Sequence, residues 1–258
     1  MHTVTLLTDF GLSDYFVGAM KGVMLELNAS LQFVDITHLV PARDIRSGAF
    51  TLGQAYSYFP GGTIHLAVVD PGVGTARKGL VASAGGHYFV APDNGLISRV
   101  LEREPEATVY EVRADHYFRK PVSTTFHGRD IFAPVAAWVS RDIPLHQFGP
   151  PLAKPVRLPP PVLQRVKDNL IQAEILAVDQ FGNLITSLRP EDVGDQPCKI
   201  LAAQREISQF RRTFGEGTAG ELFVVPGSAG YFEIVVRDGS AARELGLAAG
   251  KAIGVVLG

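Results

Sequence analysis

Charge and imidazole gather at four places in this chain where apolar runs give out. Thr8-Asp9-Phe10-Gly11, with Asp14 just beyond, follows the first run, and Asp70-Pro71-Gly72-Val73-Gly74-Thr75-Ala76-Arg77 follows a later one. Pro92-Asp93-Asn94-Gly95 and Thr125-Phe126-His127-Gly128-Arg129-Asp130 complete the set. Taken singly, each has a structural explanation. Asp9 or Asp14 would cap the helix that follows, Asp93-Asn94-Gly95 is turn chemistry, and His127 would be a hydrogen-bonded structural histidine. Gly72 and Gly74 would let the backbone turn, since the third glycine of a dinucleotide fingerprint is missing. Their coincidence points to a site, because a purely structural rim would use Ser, Gly and Asn. Two chemistries fit it. Asp9, Asp14, Asp70, Asp93 and Asp130 supply the oxygen donors that a hard divalent cation prefers, as in a metal-dependent phosphoester hydrolase. Alternatively, carboxylates grip a ribose diol and an ammonium group while an Asp, an Arg and a His order water against an electrophilic carbon.

Such a rim must be carried by regular elements, and in open parallel sheets ligands bind at the carboxyl ends of strands. Residues 3–8, 32–36 and 63–69 read as buried strands, with helical spacing over 15–27 and 43–58 between them. Ser13 or Asp14 is expected to cap the first helix. Residues 79–84 and 87–90 flank Gly85-Gly86, the pair a tight hairpin requires, and 95–101 and 131–139 supply further helical faces. The pattern predicts an α/β domain with a parallel sheet over residues 1–155. Pro150, Pro151, Pro155, Pro159, Pro160 and Pro161 then forbid both helix and central strand, which marks a boundary. From 163 to 258, short strand-like runs at 170–178, 184–188, 199–203, 222–225, 231–236 and 252–257 predict a small antiparallel β-barrel or sandwich.

Composition narrows the partners. A hydrophobic fraction of 46% against 19% charged residues is that of a folding, globular chain. A formal net charge of −2, with both signs interspersed, gives no field to hold a nucleic acid or an anionic membrane. The one cysteine, Cys198, excludes an intrachain disulfide and every metal or redox motif built on paired cysteines. No run of 18 apolar residues occurs and the start lacks a basic, apolar leader, so a cytoplasmic protein is expected. A non-catalytic binding module for a small ligand fits the same composition.

Six motifs in order, TDFG at 8–11, VDPGVGTAR at 69–77, APDNG at 91–95, FHGRDIFAP at 126–134, VDQFGN at 178–183 and SAGYFEI at 228–234, carry a resemblance. The chain resembles the S-adenosyl-L-methionine hydrolases, or SAM hydroxide adenosyltransferases, relatives of the fluorinase and chlorinase enzymes. The resemblance implies an N-terminal α/β domain and a C-terminal β-barrel. It also implies a homotrimer with each site between one subunit's N-terminal domain and its neighbour's C-terminal domain, and a reaction without metal or cofactor that yields adenosine and methionine. By position, Asp9 matches the ligand of the ribose hydroxyls, Asp14 and Asp179 those of the methionine amino group, and Ser228 one near its carboxylate. Phe181 and Asn183 match the adenine pocket, with Phe214 covering the other face; barrel core is the competing place for both rings. Asp70, Arg77 and His127 match the water-activating set, with Asp70 assigned chiefly to positioning. The halogenating relatives have tyrosine where Asp70 stands and carry an extra loop, for which the Gly85-Gly86 turn leaves no room. Two departures stand out. Ala229 follows Ser228 where the halogenases have arginine, and Ser187 replaces a commoner asparagine. The three alternatives are then a hydrolase of S-adenosyl-L-methionine, a metal-dependent phosphoesterase and a non-catalytic sensor of adenosine or S-adenosylmethionine.

Overall fold

The computed structural model describes residues 2–194 and 196–258 and divides into two compact units, Met1–Leu158 and Pro159–Gly258. In the first unit the chain runs β1 (Thr3–Thr8), α1 (Phe16–Leu27), β2 (Gln32–Thr37), α2 (Ile45–Ala55), β3 (Ile64–Val68), β4 (Gly79–Ala84), β5 (His87–Pro92), α3 (Ser98–Arg103) and β6 (Thr108–Val112). A π-helical turn at Gly128–Phe132 then leads into α4 (Ala133–Val139). The strands order as β2-β1-β3-β5-β4-β6. The first four are parallel, while β4 and β6 pair antiparallel, so the expected parallel sheet is a mixed one at its far edge. Gly85 and Gly86, at φ +56° and +78°, close the β4–β5 hairpin as expected.

Alternation along β1 explains the layering. Val4 and Leu6 join Met20, Met24, Ala133 and Ala136 on one side, while Leu7 joins Leu52, Val100 and Leu101 on the other. Helices therefore cover both faces, which is why the strands read as continuous apolar runs. The cap of α1 is not the expected one. Its N-cap is Tyr15, without a side-chain hydrogen bond, and Ser13 and Asp14 lie exposed before it. An edge-on set of rings, Phe10, Phe16 and Phe126, fixes the start of α1 instead. In α2 the cap is ordinary: Asp44 accepts from the Ser47 N–H at 3.0 Å.

One strand carries an unusual passenger. His65 on β3 has 0% exposure; its Nδ1 meets Thr5 Oγ1 at 2.7 Å and its Nε2 meets His87 Nδ1 at 3.3 Å. Burial, with the neighbouring His87 second, pushes its pKa down to about 3.

The first unit runs to Leu158 rather than 155, for a local reason. Asp93 Oδ1 accepts the Val156 N–H and Ser98 Oγ accepts the Leu158 N–H, both at 2.8 Å, so the start of the proline stretch is tied down.

The second unit is built from β7 (Leu163–Lys167), β8 (Leu170–Val178), β9 (Leu184–Thr186), α5 (Pro190–Val193), β10 (Cys198–Ala202), β11 (Arg205–Ile207), β12 (Leu222–Pro226), β13 (Phe232–Val236), α6 (Ala241–Leu245) and β14 (Ala252–Leu257). The pairings between these strands are antiparallel, in the order β11-β10-β14-β8-β9-β13-β12 with β7 beside β8. The long β8 pairs with β14 along its first half and with β9 along its second, and an irregularity between Ile175 and Ala177 lets it bend between them. An isolated bridge from Phe210 to Val224 draws the two ends of the sheet together, giving a nearly closed barrel around Ile175, Ile200, Val224, Ile234 and Val255. Ser187 braces this unit: its hydroxyl donates to Val162 O and accepts the Glu174 N–H at 3.0 Å. No helix among the described residues is long and apolar enough to cross a membrane.

Candidate active site

Asp70 lies just past the carboxyl end of β3, and the loop after it folds back on itself. Val73 N–H donates to Asp70 O, and Thr75 donates to Gly72 O through both its N–H and its hydroxyl. Arg77 is thereby returned to Asp70: its Nε donates to Oδ1 at 2.8 Å and to Oδ2 at 3.0 Å, and its Nη2 forms a further short bond to Oδ2. The same Nη2 donates to His127 Nδ1 at 2.8 Å. The guanidinium also sits 5.1 Å from the centre of the Phe132 ring. Asp70, Arg77 and His127 are therefore one connected set.

The two loops that carry it are in contact. Gly74 has φ +77°, and a Cβ there would lie 2.3 Å from the carbonyl oxygen of Thr124, so only glycine lets the Arg77 loop approach the His127 segment this closely. His127 itself precedes the π-helical turn, a geometry that often marks functional positions.

The bonding fixes the tautomer of His127. A guanidinium has donors only, so Nδ1 must accept, and the neutral ring carries its proton on Nε2. Burial first, and the adjacent Arg77 charge second, lower the His127 pKa below the ordinary histidine value. The ring is then a neutral donor at neutral pH. Arg77 likewise has an Nη1 N–H left over once Nε and Nη2 serve Asp70 and His127 and Nη1 reaches Lys78 O at 3.4 Å. Two donors, one on Arg77 held by Asp70 and one on His127 held by Arg77, suit an oxygen that bears negative charge.

Asp9, at the end of β1, accepts the Arg43 N–H on Oδ2 at 2.8 Å, and its other oxygen accepts no hydrogen bond among the described residues. Asp14 is exposed and its carboxylate has no partner among them. The other two acids of the rim have structural duties. Asp93 ties the linker and is raised in pKa mainly by burial. Asp130, with 0% exposure, is held by Arg129 at 2.6 Å and accepts the Ser123 N–H at 2.9 Å. The single cation cage of five aspartates is thus not assembled; among the described residues no three of His, Cys, Asp and Glu are grouped to hold a metal ion.

The second unit holds the remaining expected residues around one hollow of about 660 Å³. Asp179, Phe181, Asn183, Phe214 and Ser228 all line it, with Gly227, Glu233, Arg237 and Arg243 besides. Asp179 organises its own loop: Oδ1 accepts the N–H groups of Phe181 and Asn183, at 2.9 and 2.8 Å, and Oδ2 accepts the Asn183 amide at 2.8 Å. That turn pushes Phe181 out to 75% exposure, and Phe214 is 47% exposed, so neither ring is barrel core. Both rings instead wall the hollow.

An α/β domain with a donor-rich loop cluster at its strand ends, in one chain with a barrel bearing an aromatic-walled hollow, defines a two-domain enzyme for a small polar substrate. Comparison with known proteins makes this specific. Residues 4–149 match the SAM hydroxide adenosyltransferase N-terminal domain and residues 173–254 the corresponding C-terminal domain, and the chain belongs to that family. It is similar to the (R)-S-adenosyl-L-methionine hydrolase of Salinispora tropica, at 40% identity over 99% of this chain and 98% of the relative. The enzyme of that name from Thermus thermophilus is 38% identical over 97% and 98% of the two chains. A fluorinase from Actinopolyspora mzabensis is more distant, at 23% identity over 98% and 96%. Among solved structures, an uncharacterized conserved protein from Thermotoga maritima superposes with a TM-score of 0.90 at 36% identity, over 98% and 99% of the chains.

Proposed function

We propose that this chain hydrolyses S-adenosyl-L-methionine by attack of water or hydroxide at ribose C5′, giving adenosine and L-methionine. The observation that carries the reading is the joined set of Asp70, Arg77 and His127, brought together across separations of 7 and 50 residues. The carbon–sulfur electron pair leaves with the sulfonium as a neutral thioether, the new bond forms to oxygen, and one proton is released for each turnover. The obstacle is the nucleophile, since bulk water has a pKa near ~15.7. The Arg77 N–H and the Nε2–H of His127 stabilise hydroxide character, and Asp70 holds Arg77 in place. A carboxylate already gripped by a guanidinium is a poor base, and His127 has no free lone pair while Arg77 bonds to Nδ1, so neither is the proton's destination.

The adenine lies between Phe181 and Phe214, Asn183 reads its edge, Asp9 takes the ribose hydroxyls, and Asp14, Asp179 and Ser228 take the methionine end. The reaction asks for no cofactor, and the assembly is a homotrimer. Incubation of purified protein with S-adenosyl-L-methionine and chloride, with and without EDTA, should give adenosine and methionine at equal rates in both. A 5′-chlorinated product, loss of turnover in EDTA or no turnover at all would each overturn the reading.

Phe181→Ala removes a wall without touching the core. Base stacking on an aromatic ring is worth about 1–3 kcal/mol, so KM should rise on the order of tenfold. With the ring 75% exposed, the melting temperature should not move. Calorimetry and initial rates check both.

A further inference from the structure

Glu233 stands out because its surroundings do not explain it. On β13 its neighbours Phe232 and Ile234 belong to the barrel core, so alternation puts Glu233 on the opposite face, toward the hollow it lines. It is only 7% exposed, yet no hydrogen bond or ion pair reaches its carboxyl among the described residues. Most of the side chain is buried, which makes ionisation costly, while the carboxyl oxygens stay open to the hollow and so to a ligand. The space for it is nevertheless reserved: a Cβ at Gly227 would lie 2.0 Å from Glu233 Oε1 and 2.5 Å from Cδ, so glycine at 227 is what admits the carboxyl. Gly227 precedes Ser228 in a turn closed by the Gly230 N–H on Gly227 O and by the Gly227 N–H on Tyr231 O.

The other charged groups of the hollow are Asp179, Arg237, Asp238 and Arg243. Arg237 is turned to Phe214 O at 3.3 Å and to Asp238 at 3.5 Å, and among the described residues neither arginine pairs with Glu233. Asp179 is the acid that Glu233 feels. Glu233 and Asp179 therefore face one hollow, and no salt bridge to a cation is formed by either carboxylate among the described residues.

We propose that Glu233 is a second carboxylate partner for the primary ammonium of the substrate, completing with Asp179 a site that requires this cation. This rests on the reading of the hollow as part of the S-adenosyl-L-methionine site. Burial first, then the charge of Asp179, holds the Glu233 pKa above the usual value in the free protein. An ammonium placed beside both acids favours the ionised form, so binding lowers that pKa again and releases a proton wherever Glu233 is still partly protonated.

The test uses the intact protein, S-adenosyl-L-methionine and an analogue whose α-amino group is replaced by hydroxyl. Glu233→Gln keeps the shape and removes the charge. It should raise KM and Kd for the substrate about tenfold or more, leave kcat within about twofold, and change binding of the hydroxyl analogue by less than about twofold. Calorimetric titration in two buffers of different ionisation enthalpy should show the wild type releasing a proton on binding, in the range where Glu233 titrates, and Glu233→Gln releasing none. Glu233→Asp should restore the release and part of the discrimination, and decides the matter on the same readouts if the Gln variant does not fold. Equal weakening for both ligands, or proton release that persists in Glu233→Gln, would overturn the proposal while leaving the hydrolase reading intact. Failure of the wild type to bind S-adenosyl-L-methionine would remove both.

Discussion

Arg77→Ala is expected to slow adenosine release about 10²–10³-fold while changing the Kd for S-adenosyl-L-methionine only a few fold. The guanidinium donates to Asp70 and to His127 at once, and under the proposed function its remaining N–H meets an anionic oxygen that forms only as the reaction proceeds. Interactions of that kind act on kcat more than on substrate binding. Removing Arg77 also strands Asp70, whose side chain is 5% exposed, so some loss of stability accompanies the loss of rate. Arg77→Lys separates the two effects: it keeps the charge beside Asp70 but cannot form the fork or reach His127 with the same group. Asp70→Ala and His127→Ala should each bind substrate and turn over slowly. Because the three act as one unit, Arg77→Ala/His127→Ala should be little slower than Arg77→Ala alone. Unchanged turnover in all three single variants, followed by adenosine release, would refute the assignment.

Acid lability between pH 6.5 and 4.5 is the second large effect expected. His65 titrates near 3 when folded and near ~6.5 when unfolded. Below the unfolded value the denatured chain therefore binds more protons than the native one, so its stabilising contribution is complete above about pH 6.5 and is lost steadily toward the folded value. The part lost by pH 4.5 is about 2 kcal/mol from this residue. His87 is lowered too, by burial, and adds in the same direction. Asp130 and Glu111, whose pKa values are lowered, titrate beneath this window, while Asp93 and Glu233, raised mainly by burial, act in the opposite direction and offset part of the loss. Urea midpoints for wild type and His65→Asn at the two pH values check this. The wild type should lose stability on acidification and the variant much less; equal losses would assign the effect elsewhere.

The elements that were legible in the sequence are those with a strong period or an unambiguous breaker. Buried on both faces, β1 and β3 read as apolar runs, and the consecutive prolines at 159–161 could only be a boundary. By contrast, β7, with the sequence LQRVK, is exposed along its whole length and exists because β8 offers it an edge, which no local pattern announces. The α1 cap was misplaced because a ring cluster assembled from residues 10, 16 and 126 does the work that Ser13 or Asp14 would have done. The site divides in the same way. Asp70, Arg77 and His127 each stood out as a charge or imidazole where an apolar run gives out, but only the resemblance joined the three, since 50 residues separate Arg77 from His127. Asp93 and Asp130 looked like ligands because acids at strand ends do; only the tertiary positions of Val156, Ser123 and Arg129 reveal their structural duty. Glu233 lies within the motif at 228–234, yet its isolation is visible only in three dimensions.

The tight seam at Gly74 has a consequence for how this chain is able to change. With Thr124 O filling the place of a side chain at 74, no residue but glycine can stand there without forcing apart the segments that bear Arg77 and His127. Divergence in rate or preference must then come from the groups mounted along the seam, because the seam itself yields only by breaking.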